Sequence, residues 1–264
     1  GDLADAGALE RLLAGAGAVV HVAGLVRARD AARFMHVNRD ATAALGAATR
    51  RVAGGARLVA VSSLAARAPQ LSAYAASKRA GEAALRAAYA DAPERLVIVR
   101  PPAIYGPGDQ AMLPLFRAAR RGLVPVFATG PIALVHVADA AAAIARLALG
   151  AGEAGCHALA DPNPAGYPLA ALLAELGHAV GRRPWQLRLP GGALLAAGAA
   201  ASLWMRLGGP EAVFSLGKAR EVLHADWSVA PAELLADAVY RSRIGLAEGL
   251  RATAAWYRAA GWLR

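Results

Sequence analysis

A chain of 264 residues, 57% of them hydrophobic, is long and apolar enough for one large α/β domain or a domain with a smaller lobe. Its net charge of +10 comes almost wholly from arginine, since Lys78 and Lys218 are the only lysines among 29 basic residues. The arginines stand singly or in pairs such as Arg50-Arg51, Arg120-Arg121 and Arg182-Arg183, without a basic block interleaved with aromatics, which argues against a nucleic-acid partner.

The first residues are polar and show no positive segment leading into an apolar one, so no signal peptide is read and a cytoplasmic location is expected. Asp5 to Ala14 carries Leu9, Leu12 and Leu13 at helical spacing and is stopped by Gly15 and Gly17. Ala18 to Ala23 reads as a strand, and the small residues Ala23 and Gly24 at its end let backbone lie close to a ligand. Asp30 to Val52 is a long helical pattern with Asn38, a poor helix former, inside it. Arg57 to Ser63 is the next strand, and its apolar run from Leu58 to Val61 suits a buried parallel position. A helix from Tyr74 to Asp91 and a second buried strand, Leu96 to Val99, follow, and Pro101 to Gly108 then forms an extended Pro/Gly turn. Met112 to Arg121 is a short helix and Gly122 to Thr129 a loop or edge strand, after which Ile132 to Val137 runs back to the main domain.

Asp139 caps or begins an alanine-rich helix to Leu149. The lone Cys156 excludes an intramolecular disulfide and leaves no metal pattern. Asp161-Pro162-Asn163-Pro164 reads as a linker, and Tyr167 to Val180 as an amphipathic helix. Leu194 to Leu207 is the most apolar piece, too short and small-sided to span a bilayer comfortably, so it is expected to be a buried helix or pocket lid in the substrate lobe, with an interfacial or membrane-contacting role as the alternative. Lys218 to Trp227 requires no catalytic role, and Leu246 to Trp262 is a closing amphipathic helix expected on the main sheet.

The chemistry concentrates between residues 57 and 82. On a helix Tyr74 and Lys78 stand at i and i+4, so a phenol and an ammonium share one face. A phenol near its reference pKa of ~10 transfers protons poorly at neutral pH, and an adjacent cation favours phenolate, so Lys78 is expected to lower the pKa of Tyr74. Ser62 and Ser63 end a buried strand, where ligands of parallel α/β sheets gather, and one of them is placed to bond the oxygen that Tyr74 serves. Glu82, four residues beyond Lys78, pairs with it or with Arg79 and is read as structural.

Seven pieces, in order, carry a family resemblance: Gly1-Asp2-Leu3, His21-Val22-Ala23-Gly24, Val37-Asn38-Arg39-Asp40-Ala41-Thr42, Val61-Ser62-Ser63, Tyr74-Ala75-Ala76-Ser77-Lys78, Arg100-Pro101-Pro102-Ala103-Ile104-Tyr105-Gly106-Pro107-Gly108 and His136-Val137-Ala138-Asp139. Together they resemble the short-chain dehydrogenase/reductase superfamily, in particular its extended branch of NAD(P)-dependent epimerases, dehydratases and reductases. The resemblance implies a Rossmann-like α/β fold, a doubly wound parallel sheet that is N-terminally incomplete, with a smaller, mostly helical C-terminal substrate lobe. It divides the chain into a partial dinucleotide-binding domain, 1–110, on which 132–160 and 246–264 pack, and a substrate lobe of 111–131 and 161–245. It implies Ser63, Tyr74 and Lys78 as catalytic residues, with Ser62 the alternative hydroxyl, and no metal. It further implies NAD or NADP contacted by Asp2, Leu3, Val22, Ala23, Gly24, Tyr74, Lys78, Pro102 and Ala103, with Asn38 positioning a water and the lysine. For Asp2 a helix cap is the other reading. The partners implied are a small-molecule substrate and a second copy, paired through the helices Asp30 to Val52 and Tyr74 to Asp91.

Four departures qualify the resemblance. No G-x-x-G-x-x-G follows a strand, and Gly15-Ala16-Gly17 precedes one, the wrong polarity for a phosphate loop. The chain is therefore expected to begin about sixty residues late and, as given, to bind dinucleotide weakly or not at all. Met35 stands where much of the sugar-nucleotide branch has an asparagine that contacts the cofactor, and Ala103 and Ile132 stand where many of its members carry an asparagine and a diphosphate-clamping arginine; the last two point to a less charged, apolar substrate. The expected function is oxidation, reduction, epimerisation or dehydration at a hydroxyl or carbonyl, by proton exchange through Tyr74 with hydride transfer at nicotinamide. The alternative is a non-catalytic dinucleotide-sensing or assembly protein, or an inactive fragment.

Overall fold

The computed structural model describes residues 3, 5–212 and 214–263. α1 (Ala6–Leu13) starts where the Asp5 carboxylate accepts the Ala8 amide at 3.0 Å. After β1 (Ala18–His21), the long helical pattern is α2 (Ala31–Met35), a π-helical turn (His36–Ala41) and α3 (Thr42–Val52). β2 (Arg57–Val61) leads through a 3-10 turn (Leu64–Arg67) to α4 (Ala73–Ala88), and β3 (Leu96–Arg100) to β4 (Ala103–Tyr105). α5 (Leu113–Arg121), β5 (Leu123–Val126), β6 (Leu134–His136), α6 (Val137–Ala148), β7 (Gly155–Ala158) and α7 (Leu169–Val180) follow. β8 (Trp185–Arg188), α8 (Gly191–Arg206), α9 (Leu216–Val222) and α10 (Leu246–Ala259) close the chain.

β1, β2, β3 and β7 form a parallel sheet in that order. Alternation along the central strands assigns each face its own cover. Leu58, Ala60 and Ile98 pack with Leu85 of α4 and with Tyr89, which caps that helix, while Val59, Val97 and Val99 pack with Ala140, Ala143 and Leu147 of α6. β4 with β6, and β5 with β8, make two parallel pairs beside this sheet. The sequence expectation missed β4, β7 and β8, short strands whose Gly, Pro and Arg neighbours hide the pattern.

The closing helix α10, expected on the main sheet, packs elsewhere. Leu250, Ala254 and Tyr257 join Phe116 of α5 and Leu173 and Leu176 of α7 in one buried cluster. Both faces of β2 and β3 are already filled by α4 and α6, so the apolar stripe of α10 finds its partner in the α5/α7 layer.

Two close attachments hold the layers in register. Gly81 lies where α4 crosses the π-helical turn, and a β-carbon there would come 2.2 Å from the Asn38 carbonyl oxygen, so only glycine permits the approach. Asp139 is buried in the first turn of α6 and accepts the Tyr240 hydroxyl at 2.6 Å and the amides of Arg243 and Ile244 at 3.1 and 2.9 Å. It ties the segment before α10 to the sheet domain. Asp139→Ala strands these donors, and a loss of ~2–3 kcal/mol in denaturant-unfolding stability is expected; an unchanged midpoint and slope would refute the tether.

Candidate active site

The carboxyl ends of β1 and β2 meet the start of α4. Ser72 caps that helix by accepting the Ala75 amide at 2.9 Å, which sets Tyr74 on the first turn and Lys78 one turn on. Ser63 caps the 3-10 turn that leaves β2, its Oγ accepting the Ala65 amide at 3.2 Å, and it stands near enough to Tyr74 to pull the phenol's pKa down against burial. Lys78 Nζ donates to the Val61 carbonyl at 2.8 Å. Ser62 points away: its hydroxyl donates to Glu82 at 2.6 Å. Of the two serines, Ser63 is the one placed beside the phenol.

Asn38 joins this cluster to the loop after β1. Its Nδ2 donates to the Leu25 carbonyl at 3.0 Å and to Ser77 Oγ at 2.9 Å, while its Oδ1 accepts the Leu25 amide at 2.8 Å. A π-helical turn, a common feature of functional sites, presents it inward. A cavity of about 20 Å³, room for one water, opens between Asn38, His21, Thr42, Ser62 and Lys78.

The electrostatics correct one expectation. Burial pushes the Tyr74 phenol above its ordinary pKa, the Ser63 contact opposes this, and the Glu221 carboxylate adds to the rise. Lys78, expected to lower the phenol, itself drops to about 8, because burial disfavours its charge more than Glu82 restores it. Its ammonium is turned to the Val61 carbonyl rather than to the phenol. Glu82, expected to pair with Lys78 or Arg79, takes a bidentate pair from Arg100 at 2.7 and 2.6 Å, with Arg79 no closer than 3.7 Å.

His21 ends β1, buried, with Nε2 2.9 Å from Thr42 Oγ1. Burial and then the Lys78 charge lower its pKa from 6.5 to about 4. Between those values the unfolded chain binds the proton and the folded one does not, so stability rises with pH across that window and is lost as pH falls toward 4. His21→Gln is expected to flatten that part of the stability profile by up to one proton, measured as unfolding free energy at successive pH values against the parent.

The residues expected to meet a dinucleotide divide. Val22, Ala23 and Gly24 leave β1 with exposed backbone, and a β-carbon at Gly24 would lie 3.0 Å from Asn38 Oδ1 and 3.4 Å from Lys78 Nζ. Pro102 is buried and Ala103 exposed at the start of β4, next to Pro101, whose carbonyl accepts the amide of Leu64 at 2.8 Å. Leu3, half-buried, packs against Leu9, Leu13, Leu45 and Ala48, and Asp2 lies outside the described residues. The side-chain-free approach at Gly24 and an ammonium with donors to spare fit the nicotinamide-ribose end of NAD(P), which supplies or accepts a hydride. Among the described residues no cluster suited to a metal ion is present.

Two neighbours of Tyr74 escaped the sequence reading. Phe34 stands edge-on to its ring at 6.0 Å between centroids, and Glu221 of α9 is buried, accepting from Ser72 and, at 3.0 Å, from Lys218. Glu221 is 147 positions beyond Tyr74 in the sequence, and no local pattern announces such a contact.

A family model for the NAD dependent epimerase/dehydratase family matches residues 1–156. A ceramide reductase of Caulobacter vibrioides is 47% identical over 265 residues, covering 100% of this chain and 81% of that protein. The crystal structure of gox2253 superposes with a TM-score of 0.75 at 21% identity, over 100% of this chain and 85% of its own. The enzyme WbmG of Bordetella bronchiseptica, in complex with NAD and UDP, does so at 0.73 and 17%, over 100% and 80%. These two likenesses speak for the fold, while the family model and the reductase speak for descent. The chain belongs to the NAD dependent epimerase/dehydratase family, as an NAD(P)-dependent enzyme of the extended short-chain dehydrogenase/reductase type.

Proposed function

We propose that the protein reduces a ketone on a ceramide-like lipid. Tyr74 gives its proton to the oxygen as the carbonyl becomes an alcohol, Ser63 holds that oxygen, and Lys78 binds the ribose and favours phenolate once the proton has left. The observation that carries this reading is Tyr74 and Lys78 one turn apart on α4, with Lys78 Nζ close to the open backbone at Gly24 and Ser63 on the phenol's side. The raised pKa of Tyr74 keeps the phenol protonated at neutral pH, the form that reduction needs.

Two features support the substrate class. Ala103 and Ile132 stand where the sugar-nucleotide branch places an amide and a guanidinium, and a diphosphate without its guanidinium loses a charge-assisted contact worth about 1.5–3 kcal/mol. The similar protein from Caulobacter vibrioides is named a ceramide reductase. The test supplies the full product of the reading frame with NADH or NADPH and either a ceramide whose secondary alcohol is oxidised to the ketone, or UDP-glucose. Nicotinamide oxidation with the ketolipid alone is expected. Turnover of the sugar nucleotide without the ketolipid would overturn the proposal.

A further inference from the structure

The apolar segment expected to be buried is largely exposed. In α8, sixteen residues with Arg206 as their one charge, only Gly198 and Met205 are buried. That narrow side rests on α9, where Ser202 Oγ accepts the Leu216 amide at 2.9 Å. Leu194 and Leu195 are half-buried, and most of the remaining residues are open: Leu203 and Trp204 are 58% and 64% exposed, and Leu207, just past the helix, 73%. The strand leading into α8 continues the pattern, with Trp185 71% exposed beside its register partner Leu123 at 45%.

Charge selects what covers this surface. Residues 176 to 210 hold Arg182, Arg183, Arg188 and Arg206 and not one Asp or Glu. The first carboxylate beyond them, Glu211, is already engaged by Arg33 at 3.3 Å and Arg29 at 4.0 Å. A second copy seated on the same patch would bring arginines of one sign together across a two-fold axis. A negatively charged lipid surface instead accepts the leucines and tryptophans into its acyl boundary and the guanidinium groups at its phosphates. At 1.5 Å per residue, α8 is about 24 Å long, short of the ~30 Å hydrocarbon core. Among the described residues no helix is long and apolar enough to cross a membrane.

We infer that the β8–α8 surface docks the protein on anionic bilayers, α8 lying along the interface. The inference stands on exposure and charge and does not require the ketolipid reading; vesicle binding without ketone reduction, or the reverse, separates the two.

Co-sedimentation with vesicles of phosphatidylcholine and phosphatidylglycerol at 7:3, and with pure phosphatidylcholine, tests it. Binding about 100-fold tighter to the anionic vesicles at low salt is expected, weakening in 500 mM NaCl. The variant Leu203→Glu, Trp204→Glu, Leu207→Glu should lose it, and Arg182→Gln, Arg183→Gln, Arg188→Gln should lose most of it, with melting curves checking that both remain folded. Equal binding to neutral vesicles overturns the inference. So does self-association without vesicles that the glutamate variant dissolves. If the glutamate variant fails to fold, the arginine variant, which alters only exposed side chains, decides: undiminished binding rejects the docking surface.

Discussion

Tyr74→Phe is expected to lower turnover of the full-length enzyme by about 100- to 10,000-fold, the range for losing a positioned proton donor, with NAD(P)H affinity retained. The substitution removes one oxygen and keeps the ring that meets Phe34 edge-on, so packing is preserved and the unfolding midpoint should move little. The phenol is half-buried, its pKa raised by burial, softened by Ser63 and raised again by Glu221, so it stays protonated through neutral pH. Lys78 titrates near 8. Its charge, which favours the phenolate left after proton transfer, is present below that pH and gone above it, so reduction should fall as pH rises through about 8. A cofactor on the ribose side would shift that limb, and the parent's profile with and without excess NAD(P)H reads the shift. Undiminished turnover in Tyr74→Phe would remove the phenol from the reaction.

Arg100→Met should cost about 3–5 kcal/mol of stability, as expected when one partner of a buried ion pair is removed. Glu82 is 2% exposed and accepts from Arg100 through both oxygens and from Ser62. Burial alone would raise its pKa, but the hydrogen bonds from Arg100 and Ser62 and the Arg100 charge prevail and hold it below 4.5. Its stabilising contribution is therefore complete above 4.5 and lost as pH falls toward the folded value. Arg86 and Arg79, at 3.4 and 3.7 Å, are exposed and screened, and replace little of the pair. The double variant Arg100→Met, Glu82→Leu should recover much of the loss, because no charge is then buried alone. Equal losses in the single and double variants in urea would show that the ion pair is not the source.

The two experiments touch one structural fact. Glu82 holds Ser62 away from Tyr74, which leaves Ser63 to face the phenol, so the ion pair that stabilises the α4–β3 contact also sorts the two adjacent hydroxyls. A modest fall in activity in Arg100→Met beyond that explained by unfolding is the expected sign of this coupling.

Local order was legible from the chain alone. The apolar runs at Leu58 to Val61 and Leu96 to Val99 announce buried strands, and Tyr74 and Lys78 share a helix face whatever that helix packs against, because periodicities of two and 3.6 residues depend only on neighbours in sequence. Tertiary packing decided the rest. It turned Lys78 toward a strand carbonyl and left burial, Ser63 and Glu221 to set the pKa of the phenol, gave Glu82 to Arg100, brought Glu221 beside Tyr74, sent α10 to the α5/α7 layer and left much of α8 open. Burial, and with it the pKa of a side chain or the partner of an apolar stripe, depends on which distant residues arrive, and that is set by how filled faces exclude later elements rather than by any pattern within them.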